Sequence, residues 1–597
     1  MRRNRVTEPR GRALVVVAAT ALTAVVFAAP AAVAQPEPAG AEEYTVLLRE
    51  GAGEAAGRDA VRAAGGTVVR SNPAVGALVV TAPAEGFAEA VGTRPGVLGA
   101  TRARSIGAVA ADPERPGRGR PAQAGPPPQR DTVEQEYRTR QGPGGLPPLQ
   151  SVEPRLRPTD PGARLDPLDA SRYGMAMVRA GAARAVEDGD RRVLVGVIDS
   201  GIDASHPDLA GQVDLGLSRN FARDIPTDPT GAPSDGPCEV ASCLDPVDRD
   251  DNGHGTHVAG IVAAAANGIG SSGVAPGVRL VNLRGGQDSG LLFLQPVVDA
   301  LTYGADAGVD VVNMSFAVDP WLFNCRANPA DSPQAQAEQR TTIEAMQRAL
   351  RYAHGKGVTL VGSLGNNHED LGNPRTDVLS PSYPANSAYP RPIDNRSCLD
   401  LPVEGPHVIG VSAVGPSGTK SDYSNHGTEQ ISLAAPGGWL RDGFGTPSYQ
   451  ANENQILSTF PRAVLQAVGD VAADGTVTAQ GAGFGVQRAC DASGNCGYYA
   501  YLQGTSMAAP HVSGVAALVV SRFGKPTRGG GFGMNPAAVE RTVLATAADK
   551  ACPGPVQSYA REGRDAEYDA PCTGTARFNS LYGDGIVDAY AAVTARG

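Results

Sequence analysis

Hydrophobic positions along the chain fall into two regimes. Between residues 44 and 101 the apolar runs are short: strand-like at 44–48, helical at 55–64, strand-like at 67–70 and 76–81, helical at 84–91, and strand-like again at 97–101. This β-α-β-β-α-β order predicts a small ferredoxin-like α+β sandwich. From residue 192 onward the runs at 192–198, 279–283, 309–313, 358–362 and 408–414 are continuous, the pattern of parallel strands buried on both faces. Helical segments at 291–307, 341–354 and 506–523 alternate with them. The second regime therefore predicts an α/β fold of three layers, with a mainly parallel sheet covered by helices on both faces.

Between the two regimes, residues 112–165 hold 12 Pro and 7 Gly with one aromatic, Tyr137, which reads as a linker rather than a packed unit. The start of the chain has Arg2, Arg3, Arg5, Arg10 and Arg12, then an apolar run of 17 residues at 13–29, then the small triplet Ala32-Val33-Ala34. Basic head, apolar middle and small-residue end make a secretory signal over 1–34, and the run is short of the roughly 20 strongly apolar residues of a spanning helix. No later run is apolar enough to span, so the mature form is expected to be secreted and extracellular, without a membrane anchor.

Eight cysteines, an even number, suit that oxidising destination and predict four disulfides. Sequence proximity pairs Cys238 with Cys243, Cys490 with Cys496 and Cys552 with Cys572, which leaves Cys325 with Cys398. No Cys-x-x-Cys pair supports zinc. The net charge of −10 argues against nucleic acid as a partner.

Three polar clusters lie at strand ends or helix starts, where open parallel sheets gather ligands. Asp199 follows a buried strand in Val197-Ile-Asp-Ser-Gly-Ile-Asp203. His254 opens an Ala-rich helix in Asp251-Asn-Gly-His-Gly-Thr-His-Val-Ala-Gly260. Ser506 opens another in Gly504-Thr-Ser-Met-Ala-Ala-Pro-His-Val-Ser-Gly514. Singly, each has an ordinary use as a turn residue, a loop histidine or a cap. Together they supply a nucleophile, a base and an acid that orients the base. His254 and His257 also stand three apart, as metal ligands can, but no third ligand is apparent.

From about residue 166 to Gly583-Asp-Gly-Ile-Val-Asp588, these motifs resemble the subtilisin-like serine peptidase family of secreted bacterial type, whose triad runs Asp, His, Ser along the chain. The resemblance implies a serine endopeptidase of protein or peptide substrates that needs no cofactor for catalysis. It gives Asp199, His254 and Ser506 the triad roles and makes Asn366, in Val361-Gly-Ser-Leu-Gly-Asn-Asn367, the side-chain donor to the oxyanion. It also implies that Ser315, Phe316 and Ala317 form one wall of the substrate cleft and Ser363, Leu364 and Gly365 the other. Ala317 and Val318 stand where relatives often have glycine. With no acid or base in either wall, an uncharged, apolar residue is expected before the cut bond. Asp208 and Asn267 match a structural calcium site of the family.

By the same resemblance the chain divides into a signal peptide (1–34), an inhibitory pro-domain (35–110), the linker (111–165) and a catalytic domain (166–597). The partners are then its substrates and its own pro-domain, and the mature enzyme is expected to be a monomer. An independent binding module is the other reading of the small unit. For the whole chain, the alternatives are a narrow-specificity processing protease and a non-catalytic binding protein on the same fold. Long additions around residues 225–250, 319–340 and 437–498 bear on how open the cleft is.

Overall fold

The computed structural model describes residues 41–103, 165–526 and 531–596. The signal segment and nearly all of the linker lie outside the described residues.

The small unit runs β1 (Ala41–Leu48), α1 (Glu54–Ala63), β2 (Thr67–Asn72), β3 (Ala77–Pro83), α2 (Phe87–Gly92) and β4 (Val97–Arg102), and its sheet has the order β2-β3-β1-β4. The pairings β2–β3 and β1–β4 are antiparallel. Tyr44, Val46 and Leu48 of β1 pack on Val61, Phe87 and Val91 of its own helices. The intervening residues turn the other way, onto the large domain: Leu47 joins the core of that domain, and Thr45 Oγ donates to Gln295 at 2.6 Å. Burial on both faces explains why 44–48 reads as a continuous apolar run rather than an alternating one.

The large domain is built on seven parallel strands: β5 (Leu194–Ile198), β6 (Arg219–Asn220), β7 (Arg279–Arg284), β8 (Val311–Met314), β9 (Thr359–Ser363), β10 (Val408–Val414) and β11 (Leu433–Pro436), in the spatial order β11-β10-β9-β8-β5-β7-β6. Val195 and Val197 of β5 face a core shared with α3 (His254–Ala263) and α6 (Thr505–Phe523). Leu194 and Ile198 face a second core with α4 (Leu294–Asp306) and α5 (Pro333–Gly355). The three-layer architecture expected from the continuous strand runs is thus present.

The small unit rests on α4 and α5. Asn72 donates to Asp299 at 2.9 Å and to Thr302 at 2.8 Å, Arg70 pairs with Asp299, and Arg348 donates to the carbonyls of Leu48 at 2.8 Å and Val75 at 3.1 Å. Helix α5 begins eight residues before the stretch expected from sequence, because Ser332 caps it by accepting from the Ala335 amide at 3.1 Å and Pro333 supplies its first turn. The addition at 437–498 contains Ile456–Phe460 and Gln487–Cys490, which form a three-stranded antiparallel sheet with Cys496–Leu502, the strand that leads into α6. All four disulfides join the expected partners.

Candidate active site

Parallel strands deliver their carboxyl ends to one edge of the sheet, and there β5, β8 and β9 lead into Asp199, Ser315 and Asn366. Asp199, His254, Ser315, Asn366 and Ser506 line a single cavity. Asp199 is 2% exposed, and its Oδ1 lies 2.8 Å from His254 Nδ1. The same oxygen accepts from the Ser200 amide at 2.7 Å. This leaves Nδ1 as the protonated nitrogen of His254 and makes Nε2 the basic one. Ser506 sits at the second residue of α6, and its Oγ is 3.3 Å from the Ser315 carbonyl.

His254 is fixed by a residue the sequence reading passed over. Asp250 caps α3 by accepting from the amides of Asn252, Gly253 and Thr256 at 2.9 to 3.1 Å and from the Thr256 hydroxyl at 2.6 Å. It also receives Ser200 Oγ at 3.1 Å, and Ser200 Oγ in turn accepts from the Gly255 amide, so the cap ties the Asp199 loop to the His254 helix. The acidic pair Asp250-Asp251 just before a helix start was the available signal. His257 is held differently: its Nε2 is 3.0 Å from the Ile456 carbonyl and 3.1 Å from that of Ala500, so this nitrogen donates rather than ligates, and burial pushes its pKa down to about 3.

Asn366 is oriented by the start of α6. Its Oδ1 accepts from the Thr505 amide at 2.8 Å and from the Thr505 hydroxyl at 2.9 Å. A backbone N–H can only donate, so the oxygen must face Thr505 and the amide NH₂ is the end left for the cavity. The helix therefore gains a cap for an orphan N–H, and the cleft gains a donor beside the positive end of α6.

Five of the six residues expected in the walls line the cavity: Ser315, Phe316, Ala317, Ser363 and Gly365. Leu364 does not. It is fully buried in an apolar cluster with Leu322, Phe323 and Leu371, because side chains on successive residues of an extended segment point to opposite sides. A residue outside both walls, Asp400, also lines the cavity.

Asp208 is fully buried: one carboxylate oxygen accepts from the Tyr499 hydroxyl at 2.7 Å and the Ser271 amide at 3.0 Å, while Oδ1 has no hydrogen-bond partner. Asn267 lies on the adjoining loop, where its Oδ1 accepts from the Ile269 amide at 3.0 Å. Asp166 accepts from the amides of Asn267 and Gly268, and its pKa is raised by burial and by the charges of Asp169 and Asp208. An orphaned carboxylate oxygen near a second acid is a donor set that fits a hard cation. Another acidic group, Asp224, Glu239, Asp245 and Asp288, already surrounds a cation: Arg284 forms ion pairs with Asp224, Asp245 and Asp288 at 3.4, 2.7 and 2.7 Å.

A model of the subtilase family matches residues 190–585. The chain is 28% identical over 351 residues to the thermophilic serine proteinase of Bacillus sp. (strain AK1), a match that covers 59% of this chain and 57% of that protein. It is 27% identical over 359 residues to thermitase of Thermoactinomyces vulgaris, covering 60% of this chain and 85% of thermitase. Among solved structures, the epidermin leader peptide processing serine protease of Staphylococcus aureus shares the fold, with a TM-score of 0.57 and 18% identity over 93% of this chain and 99% of that one.

Proposed function

The chain belongs to the subtilase family of serine endopeptidases, and from that premise we propose that it is a secreted enzyme, made as a zymogen, that cuts peptide bonds through Asp199, His254, Ser506 and Asn366. The observation that carries this reading is the 2.8 Å bond from Asp199 to His254 Nδ1 at the rim of the cavity that Ser506 also lines. Ser506 Oγ attacks the substrate carbonyl as His254 Nε2 takes its proton. The carbonyl oxygen becomes an oxyanion held by the Asn366 NH₂ and the Ser506 backbone N–H. His254 then gives the proton to the leaving amine, the C–N bond breaks, and water releases the acyl group by the reverse proton path. Asp199 holds the imidazole through its Nδ1–H and stabilises the imidazolium.

The oxyanion role gives a specific expectation. Asn366→Ala should lower kcat by roughly 10² to 10³, a magnitude carried over from a relative in the same family, with KM little changed. Because Asn366 also caps α6, the melting temperature is measured alongside. An unchanged kcat in the folded variant would assign the oxyanion to another donor.

The seat of residues 41–103 on α4 and α5, through Asn72, Arg70 and Arg348, supports its reading as a pro-domain that inhibits the enzyme until it is removed. Secretion is supported by the amino-terminal signal grammar, the four disulfides and the lack, among the described residues, of any helix long and apolar enough to cross a membrane.

Calcium, when bound, would supply only structural charge, held by Asp208 and Asn267 with Asp166 beside them. A ligand bound by the native state alone stabilises it by mass action, so a chelator should lower the melting temperature and Asp208→Ala should abolish that response. Identical melting with and without chelator would reject the site.

A further inference from the structure

The two walls of the cleft are uncharged, but a carboxylate beside them is not. Asp400 lines the cavity and is only 2% exposed. Its backbone is tightly set. Cys398, two residues earlier, is bonded to Cys325, and Asn324–Cys325 pairs with Cys398–Leu399. Leu401, the next residue, accepts from the Val318 amide at 2.8 Å, just past the first wall. Glu404 accepts from the Asp400 amide at 2.6 Å and donates its own amide to the Asp400 carbonyl at 2.8 Å.

The carboxylate reaches the second wall. Asp400 Oδ2 lies 3.3 Å from the point a Cβ on Gly365 would occupy, and Gly365 has φ +99°, a conformation that favours glycine. The carboxylate therefore stands between the walls 315–317 and 363–365, against a position that carries no side chain. Asp319 lines the same cavity, and its two oxygens receive the Ser382 hydroxyl at 2.6 Å and the Leu292 amide at 2.8 Å. Among the described residues, no Lys or Arg lines the cavity.

We propose that Asp400 makes the enzyme select arginine or lysine immediately before the cut bond, the substrate cation reaching this carboxylate. This rests on the peptidase reading above and replaces the apolar preference that the wall residues alone imply. A long basic side chain matches the slot, with an apolar stem along Phe316 and Ala317 and a charged tip at the acid. Residues 112–165, which the zymogen reading has cut on maturation, contain nine arginines.

The test uses the mature secreted protein and fluorogenic peptide amides that differ only in the residue before the cleaved bond: Arg, Lys, Leu or Phe. The wild type should favour Arg over Leu and Phe by roughly 10²-fold or more in kcat/KM, and Asp400→Asn should remove that advantage. Labelling of Ser506 by a fluorophosphonate reports whether the variant's site is assembled. Should the variant not be secreted or not label, the wild-type profile alone decides. A wild type that prefers Leu or Phe, or an Asp400→Asn enzyme that labels normally and keeps its Arg preference, would overturn the proposal and leave the peptidase reading standing. A wild type that cuts none of the four peptides and resists the label would overturn the peptidase reading itself.

Discussion

Ser506→Ala should be secreted without its signal segment but with residues 41–103 still attached, while the wild type loses everything up to a point in 104–165. The same variant should turn over peptide substrates about 10⁶-fold more slowly, the order of loss expected when a nucleophile that works as a unit with its base is removed. Both effects follow from one atom. Ser506 Oγ donates to the Ser315 carbonyl at 3.3 Å, a long hydrogen bond whose loss costs only about 1 kcal/mol of stability. The α6 start is held by Asn366 and Thr505, neither of which is altered. Amino-terminal sequencing of both secreted proteins, from a host without matching proteases, reads the first effect. Identical shortened termini would mean that another protease does the cutting.

Asp199→Asn should lower kcat by about 10⁴ with little change in KM. The carboxylate accepts from His254 Nδ1 at 2.8 Å and from the Ser200 amide at 2.7 Å through one oxygen. An amide in its place can turn an N–H toward Nδ1, which moves the imidazole proton to Nε2 and removes the base that Ser506 needs. The variant keeps the volume and the buried position of the native residue, so its melting temperature separates lost chemistry from lost structure. A loss below tenfold would take Asp199 out of the reaction.

The large sheet was legible because its core strands are buried on both faces and so leave continuous apolar runs; 194–198 and 408–414 are of this kind. β6 has two residues, too short to make such a run, and β11 is Leu-Ala-Ala-Pro, which has no β-branched or aromatic residue and ends in proline; neither was foreseen. The start of α5 was missed because Pro333-Gln-Ala-Gln-Ala-Glu338 is polar, although Ser332-Pro333 is an ordinary helix-start signal. At the site, the residues expected to carry chemistry sit in long local motifs, and the structure brings Asp199, His254, Asn366 and Ser506 to one cavity. Asp400 has no such motif. Its place depends on a disulfide from Cys325 to Cys398 and on a backbone bond from Val318 to Leu401, contacts between segments far apart in sequence. Leu364 fails for a related reason: its neighbours face the cleft, but strand geometry turns its side chain into the core.

The central claim is that one serine, activated by His254, is the nucleophile. The most direct measurement is to treat the mature protein with a fluorophosphonate, which reacts with activated serine hydroxyls, and to map the adduct by peptide mass analysis. The account predicts stoichiometric modification of Ser506, abolished in a folded His254→Ala variant. Peptide hydrolysis that persists with Ser506 unmodified, or an adduct on a different serine that accompanies loss of activity, would contradict it.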